Sequence, residues 1–208
     1  MMWTTVTLLT LSVYAVALPV LQVRQSSGSW CANLGGGAFD TARNFTLSAF
    51  NATTPDSGGA QLVLGQAGST EGKEFGVLST FASYPYNQFP SFSLNSGALL
   101  PNYEESGMYS SDLSVAAGSP PTFEYSTQSQ DLDPSAQIYC AVADTDPNGG
   151  SMYPMLAVNE QTDGFSLCLT GDGANAQNNV VFQPTADNNG EYVYSSCYPV
   201  FVRLLGLD

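Results

Sequence analysis

Short runs in which polar and apolar residues alternate recur along nearly the whole chain, separated by turn sequences. In residues 44–49 the even-numbered positions are polar and the odd-numbered ones are apolar. A period of two with one polar face is typical of a β-strand that is buried on one side only. The chain has only four lysines and arginines but 11 tyrosines and 11 phenylalanines, so good helix formers are scarce and strand formers abound. The sequence predicts an all-β protein.

Many short strands joined by tight turns favour an antiparallel β-sandwich. A β-trefoil-like fold is the alternative, because Phe-Ser/Thr-Leu recurs at Phe45, Phe92 and Phe165, although at unequal spacings. The predicted strands are residues 45–50, 61–65, 75–80, 91–94, 122–126, 136–143, 155–158, 165–170, 180–183, 191–195 and 199–204.

Turn sequences separate these runs. Residues 55–59 (Pro-Asp-Ser-Gly-Gly) are predicted to join the first two strands. Residues 188–190 (Asn-Asn-Gly) are predicted to join two late ones, because Asn-Gly supplies the positive φ angles of a tight hairpin. Residues 100–121 lack a regular pattern and are predicted to form a long surface loop.

The N-terminus has the pattern of a secretory signal peptide. Residues 6–17 are mostly apolar and end in Ala15-Val16-Ala17, a small-x-small sequence that signal peptidase accepts. The apolar run is shorter than the roughly 18 residues that a membrane-spanning helix needs. We therefore predict a signal peptide over residues 1–17, a flexible leader over 18–28 and a single domain over 29–208.

Secretion agrees with the cysteine content. A secreted chain meets an oxidising environment, so an even number of cysteines predicts disulfide bonds. Four cysteines can pair in three ways, and the sequence does not choose among them. The four are Cys31, Cys140, Cys168 and Cys197.

Two N-glycosylation sequons lie close together behind the predicted signal peptide. They begin at Asn44 and Asn51, and neither has proline in the middle position. We expect at least one of the two to carry a glycan.

The net charge of −14 limits the partners. Such a surface repels nucleic acid and anionic lipid, so neither is expected as a partner. The oligomeric state is not predicted.

Residue types exclude most catalytic chemistry. The chain has no histidine, which removes Ser-His-Asp and Cys-His activation and histidine-ligated metals. No cofactor motif is present. A glycoside hydrolase can work with two carboxylates alone, but in so acidic a chain no pair stands out. The candidates considered are Glu71, Glu74, Glu104, Glu105, Asp112, Glu124, Asp144, Asp146, Glu160 and Glu191.

Residues 144–149 (Asp-Thr-Asp-Pro-Asn-Gly) match the first half of a calcium-binding loop. Asp144, Asp146 and Asn148 would supply the alternating oxygens. The twelfth position, however, is Met155 rather than a bidentate glutamate. The same residues suit a type I turn, so a hairpin turn is predicted and a calcium site is the alternative.

One segment is rich in aromatic residues. Tyr84, Tyr86 and Phe89 alternate with prolines and amides in residues 84–90. Exposed rings beside amide donors would be candidate sugar contacts, whereas packing of the same rings onto the sheet is the favoured interpretation. Trp30 lies next to Cys31 and is predicted to pack over its disulfide.

Part of the chain resembles a known group. The sequences Phe45-Thr46-Leu47, Gln61–Gly65, Phe75–Leu78 and Phe92–Leu99 are similar to those of small secreted cell-wall proteins of filamentous fungi related to the phialide-development cell-wall protein. The resemblance covers residues 44–100. It implies a place in the extracellular wall and supplies no catalytic residues.

The sequence thus predicts a non-catalytic protein of the extracellular space or cell wall, with a structural or interaction role. A carbohydrate-binding module that contacts cell-wall polysaccharide is the first alternative. A carboxylate-based glycoside hydrolase is the second.

Overall fold

In the computed structural model, residues 28–54, 58–105, 107–143 and 151–207 are described. The predicted signal peptide, almost all of the predicted leader and the calcium-loop candidates Asp144, Asp146 and Asn148 lie outside these residues. The described strands are Ala38–Phe39 (β1), Ala42–Asn51 (β2), Ala60–Thr70 (β3), Lys73–Thr80 (β4), Ser91–Asn95 (β5), Ala98–Asn102 (β6), Tyr109–Asp112 (β7), Thr122–Ser126 (β8), Tyr139–Val142 (β9), Met155–Val158 (β10), Phe165–Leu169 (β11), Asn178–Phe182 (β12) and Tyr198–Leu205 (β13).

Short 3₁₀ helices make up the described helical structure, at Ser29–Leu34, Ser129–Asp131 and Tyr194–Ser196. Every strand pair in the described ranges is antiparallel. The prediction of an all-β antiparallel protein is confirmed. Within the described ranges, none of the helices has the length and apolar character that crossing a bilayer requires.

Six of the strands close into a barrel. Following the hydrogen-bonded neighbours from β2 leads through β3, β4, β12, β11 and β13, and β13 pairs with β2 again. The closing pair is extensive, running from Val200 opposite Asn51 to Leu205 opposite Thr46. Closure satisfies the backbone groups that two free sheet edges would expose.

The other strands extend from this barrel. Beyond β13 lie β10, β9 and β1, and the β5–β6 hairpin pairs with the first half of β2. The β7–β8 pair attaches to the first half of β4. Of the Phe-Ser/Thr-Leu recurrences, Phe45 and Phe165 lie on barrel strands and Phe92 lies on β5 outside the barrel. The recurrence therefore does not mark equivalent positions.

The main core lies inside these layers. Fully buried side chains from strands far apart in sequence meet there, including Phe45, Leu78, Phe123 and Leu204. Each such side chain contributes about 1.5–3 kcal/mol through removal of its apolar surface from water.

The sulphurs form two bridges, which selects one of the three pairings. Cys31 is bonded to Cys140, and Cys168 to Cys197. Trp30 packs against the cluster around the first bridge, as predicted. Gly97 approaches the indole so closely that a Cβ there would lie 2.4 Å from Nε1, and its φ of +85° also suits glycine.

Most predicted strands are present, and those at Thr122–Ser126 and Met155–Val158 match residue for residue. The prediction of a strand over 191–195 is wrong, since the segment ends in the helix Tyr194–Ser196. Its Tyr192 ring instead joins a small cluster around the second disulfide. The turn at 188–190 has the predicted positive φ angles at Asn189 and Gly190, but it does not join two strands.

The prediction of a loop over 100–121 is also partly wrong. The end of β6 and all of β7 lie within it. Strand β7 lacks the alternating pattern because its buried positions hold Ser111 and Asp112 rather than apolar residues.

Candidate functional site

The segment that follows β4 holds the three predicted aromatic contacts, and their rings point to different surroundings. Phe89 is only 3% exposed. Its ring lies 5.3 Å from that of Tyr103 and 5.1 Å from that of Tyr125. Phe89 is thus a core residue, packed as the favoured interpretation of this segment proposed, and its ring does not face a ligand.

Tyr86 is the exposed ring of the segment, with 63% of its surface accessible. Tyr84 is half-buried and meets Tyr86 edge-on, with ring centroids 5.0 Å apart. The backbone N–H of Tyr86 donates to the carbonyl of Tyr84 at 2.8 Å. This tight turn and the edge contact hold the Tyr86 ring out from the surface.

The β5–β6 hairpin brings a second segment beside the first. Ser91 lies opposite Asn102 at the open end of the hairpin. The Asn102 side-chain amide donates to the hydroxyls of Ser91 and Ser93, both at 3.0 Å. One step further along, the N–H of Glu104 donates to the carbonyl of Gln88 at 3.4 Å. The two chain segments that leave the hairpin therefore form adjacent walls.

Between these walls lies an open depression of about 400 Å³. It combines an exposed aromatic ring, two carboxamides and two carboxylates, and no lysine or arginine of the described ranges lines it. The lining residues are Pro85, Tyr86, Asn87, Gln88, Tyr103, Glu104 and Glu105. We call it the Tyr86 depression.

The chemistry of the Tyr86 depression suits polyhydroxylated ligands. The carboxylates of Glu104 and Glu105 accept hydrogen bonds from hydroxyls, and the Gln88 amide both donates and accepts them. The Asn87 oxygen is buried, so Asn87 offers only its N–H donors. The exposed face of Tyr86 offers flat apolar surface to the C–H face of a sugar ring. These groups are of the kinds that recognise and orient such ligands.

A second depression, of about 360 Å³, lies at the ends of β3 and β4. Lys73 belongs to it, and its Nζ is 2.6 Å from Glu124 and 3.2 Å from Asp133. Glu124 is only 2% exposed. Contact with Glu124 is the main reason that the pKa of Lys73 is raised. Lys73 therefore balances a buried charge and has a structural role.

Tyr125 also lines this second depression. Its pKa is raised by burial and, to a lesser extent, by neighbouring Glu74. Since Phe89 packs between Tyr103 and Tyr125, one aromatic cluster supports both depressions from below.

Among the described residues, neither depression combines two carboxyl groups with a raised pKa on one of them. Among the described residues, Asp112 is the carboxyl group whose pKa is raised, to about 7, and burial is the main cause. Asp112 is 0% exposed and lines neither depression. The described residues also contain no cluster of three or more side chains suited to a metal ion.

Both predicted glycosylation sites lie on the barrel strand β2. Asn44 is exposed and has a φ of 53°, beside an irregularity in the pairing of β2 with β5. Asn51 is the last residue of the strand and is partly exposed.

Tyr103 was not predicted from the sequence as a site residue. The position of Glu104 and Glu105 beside the aromatic segment was not predicted either. A signal was present in residues 95–97 (Asn-Ser-Gly), where Ser96 and Gly97 both have positive φ angles. That is the geometry of a tight hairpin turn, and it would have placed residues 90 and 103 side by side.

Comparisons with known proteins add no information on function to this geometry. Neither a protein-family model, nor a curated protein, nor a solved structure matches the chain.

Proposed function

We propose that this protein is secreted, is not an enzyme, and binds cell-wall polysaccharide through the Tyr86 depression. The observation that carries the proposal is the exposed Tyr86 ring beside amides and carboxylates in one concavity. The signal-peptide pattern, two sequons and the resemblance to fungal cell-wall proteins support the location. Two disulfides are consistent with it.

We also propose that a two-layer sandwich arrangement carries this surface. The ring centroids of Phe92 in β5 and Phe123 in β8 lie 6.3 Å apart, and both side chains are buried. The β5–β6 layer thus packs through its aromatic side chains onto the layer that contains β8. The Tyr86 depression opens where the β5–β6 layer ends, so its walls are anchored in the core.

Replacing Tyr86 by alanine should weaken binding to insoluble polysaccharide by up to about tenfold, because a stacked aromatic contact is worth about 0.5–1.5 kcal/mol. Depletion assays on chitin, β-glucan and mannan measure this, with the amount left in solution read at several polysaccharide loads. Glu104→Gln should weaken binding less, since an amide still accepts a hydrogen bond.

Tyr194→Ala is the matched control, because Tyr194 is 49% exposed and does not line the depression. It should bind as the unaltered protein does. If the unaltered protein is not retained on any of the three polysaccharides, the binding proposal is wrong and a structural role in the wall takes its place.

A further inference from the structure

The second sequon is held in a defined geometry on the barrel. Asn51 lies opposite Val200 of β13, and the N–H of Ala52 donates to the carbonyl of Pro199 at 3.0 Å. The Asn51 side-chain oxygen accepts two hydrogen bonds, from the N–H of Thr53 at 2.8 Å and from its hydroxyl at 2.7 Å. This turn leaves Nδ2 as the free end of the carboxamide, without a hydrogen-bond acceptor among the described residues.

A depression lies directly beside that carboxamide. It has a volume of about 380 Å³, within the range of small-molecule sites, and none of the described residues that line it is charged. Tyr198, the first residue of β13, forms one wall and is 36% exposed. The lining residues are Ala49, Asn51, Thr54, Gly58, Ala60 and Tyr198. We call it the Tyr198 depression.

The sequon at Asn51 and the partly exposed Tyr198 ring have one common explanation. A barrel strand normally covers its apolar residues, yet Tyr198 presents a partly exposed ring beside small, uncharged side chains. A sugar linked to Asn51 Nδ2 begins at the edge of the same depression. A pyranose has an apolar C–H face that suits an aromatic ring and hydroxyls that stay in water.

We propose that Asn51 carries an N-linked glycan whose first N-acetylglucosamine lies in the Tyr198 depression and packs against the Tyr198 ring. The donor is a lipid-linked pyrophosphoryl oligosaccharide. A bond forms between Asn51 Nδ2 and sugar C1, the bond from C1 to the pyrophosphate oxygen breaks, and the leaving pyrophosphate keeps that electron pair. One amide proton is released from Nδ2.

Asn44 provides an internal comparison. Its carboxamide receives no hydrogen bond from Thr46 within the described ranges, and it lies mid-strand rather than at a turn. None of the described depressions includes it. A glycan at Asn44 would project into solvent, whereas one at Asn51 is supported by the protein. Only the secretion part of the proposed function is needed here, because polysaccharide binding involves a different surface.

The test is a thermodynamic cycle on protein secreted from a eukaryotic host. Mass spectrometry first shows which asparagine is modified, and Asn51 should be. Thermal melting is then compared for the intact glycoprotein, for protein trimmed to a single N-acetylglucosamine, and for fully deglycosylated protein. Full removal should lower the midpoint by about 2–4 °C, the shift that a contact of modest strength causes in a domain of this size. Trimming to one sugar should preserve the midpoint.

The ring is tested by Tyr198→Ser and Tyr198→Phe. The deglycosylation shift should vanish in Tyr198→Ser and persist in Tyr198→Phe, which keeps the aromatic face. Asn44→Gln is the matched control and should leave the shift unchanged. An unmodified Asn51 on secreted protein, or an equal shift in both Tyr198 variants, would overturn the inference. Polysaccharide retention of Asn51→Gln protein reports on the Tyr86 depression separately, so the two proposals fail independently.

Discussion

Replacing Asp112 by asparagine should stabilise this protein at pH 8 and leave it unchanged at pH 4. The Asp112 carboxyl is wholly buried, and neither oxygen has a hydrogen bond of good geometry. Burial raises its pKa from 3.8 to about 7, although the Ser135 hydroxyl and the backbone at Leu99 oppose the change. A raised pKa means that the folded protein holds this proton more tightly than the unfolded chain does.

The direction of the pH dependence follows from that difference. Between about pH 4 and pH 7 the folded state keeps the proton that the unfolded state has lost, so the free energy of unfolding falls as the pH rises. The contribution is fully present below pH 4 and is lost by the time the pH exceeds about 7. A difference of about three pKa units corresponds to an upper limit on the order of 4 kcal/mol.

The described groups that face Asp112 do not offset the effect, since Tyr139 stays neutral in this pH range. Tyr139 is fully buried; burial, and then the charge of Asp112, raise its pKa well above the ordinary value. Among the described residues, no positively charged side chain contributes to the pKa of Asp112 and compensates its carboxylate. Glu124 does not contribute, because it lies opposite Ser111, and Asp112 lies opposite Phe123 on the other face of the pair.

Urea unfolding at several pH values measures this prediction. Asp112→Asn should gain about 2–4 kcal/mol over the unaltered protein at pH 8, and the two should converge below about pH 4. Asp187→Asn is the matched control, because Asp187 is exposed and the substitution removes the same charge. A constant difference between Asp112→Asn and the unaltered protein across the pH range would show that Asp112 does not titrate in this window.

Stability that rises in acid is consistent with the proposed extracellular location of this chain, whose net charge is −14. As carboxylates become protonated, the mutual repulsion of the surface also weakens. Both effects stabilise the folded state as the pH falls. The buried Asp112 carboxyl and the acidic surface therefore both increase the free energy of unfolding as the pH falls.

The parts of the fold that were predictable are those that local pattern controls. In β2, Phe45, Leu47 and Ala49 are buried and Asn44 and Thr46 are exposed, as the alternation predicts. Ser48 departs from it, with 6% exposure. A Cβ added at Gly59 would lie 2.6 Å from the Ser48 hydroxyl and from the Phe50 ring, so the connection that leads into β3 covers the outer face there. The alternation of polar and apolar residues within β2 does not predict that its outer face is covered there.

Barrel closure and the Tyr86 depression were not predictable for a related reason. The closing pair joins Thr46 to Leu205, and each strand taken alone would serve equally well at an open edge. Likewise, Tyr86 and Glu104 meet only because the β5–β6 hairpin returns the chain on itself. Contacts between residues far apart in sequence depend on which strands become neighbours. The local pattern of polar and apolar residues does not determine that.

Removing the disulfide between Cys31 and Cys140 should destabilise the protein more than removing the one between Cys168 and Cys197. The first bridge spans 109 residues and the second spans 29. A bridge stabilises mainly by restricting the unfolded chain, and the restriction grows with the length of the closed loop. The expected losses are about 4–5 kcal/mol for the first bridge and about 3–4 kcal/mol for the second.

The double variants Cys31→Ala/Cys140→Ala and Cys168→Ala/Cys197→Ala form a matched pair. At least one cysteine of each bridge is fully buried, so the packing losses are similar and the difference reports on loop length. Urea unfolding should also give a larger m-value for both variants, because the unfolded chain expands when a crosslink is removed. The reverse order of stability would mean that local packing outweighs loop length. Trp30 would then be the residue to examine, since it packs beside the longer bridge and its indole N–H has no hydrogen-bond partner.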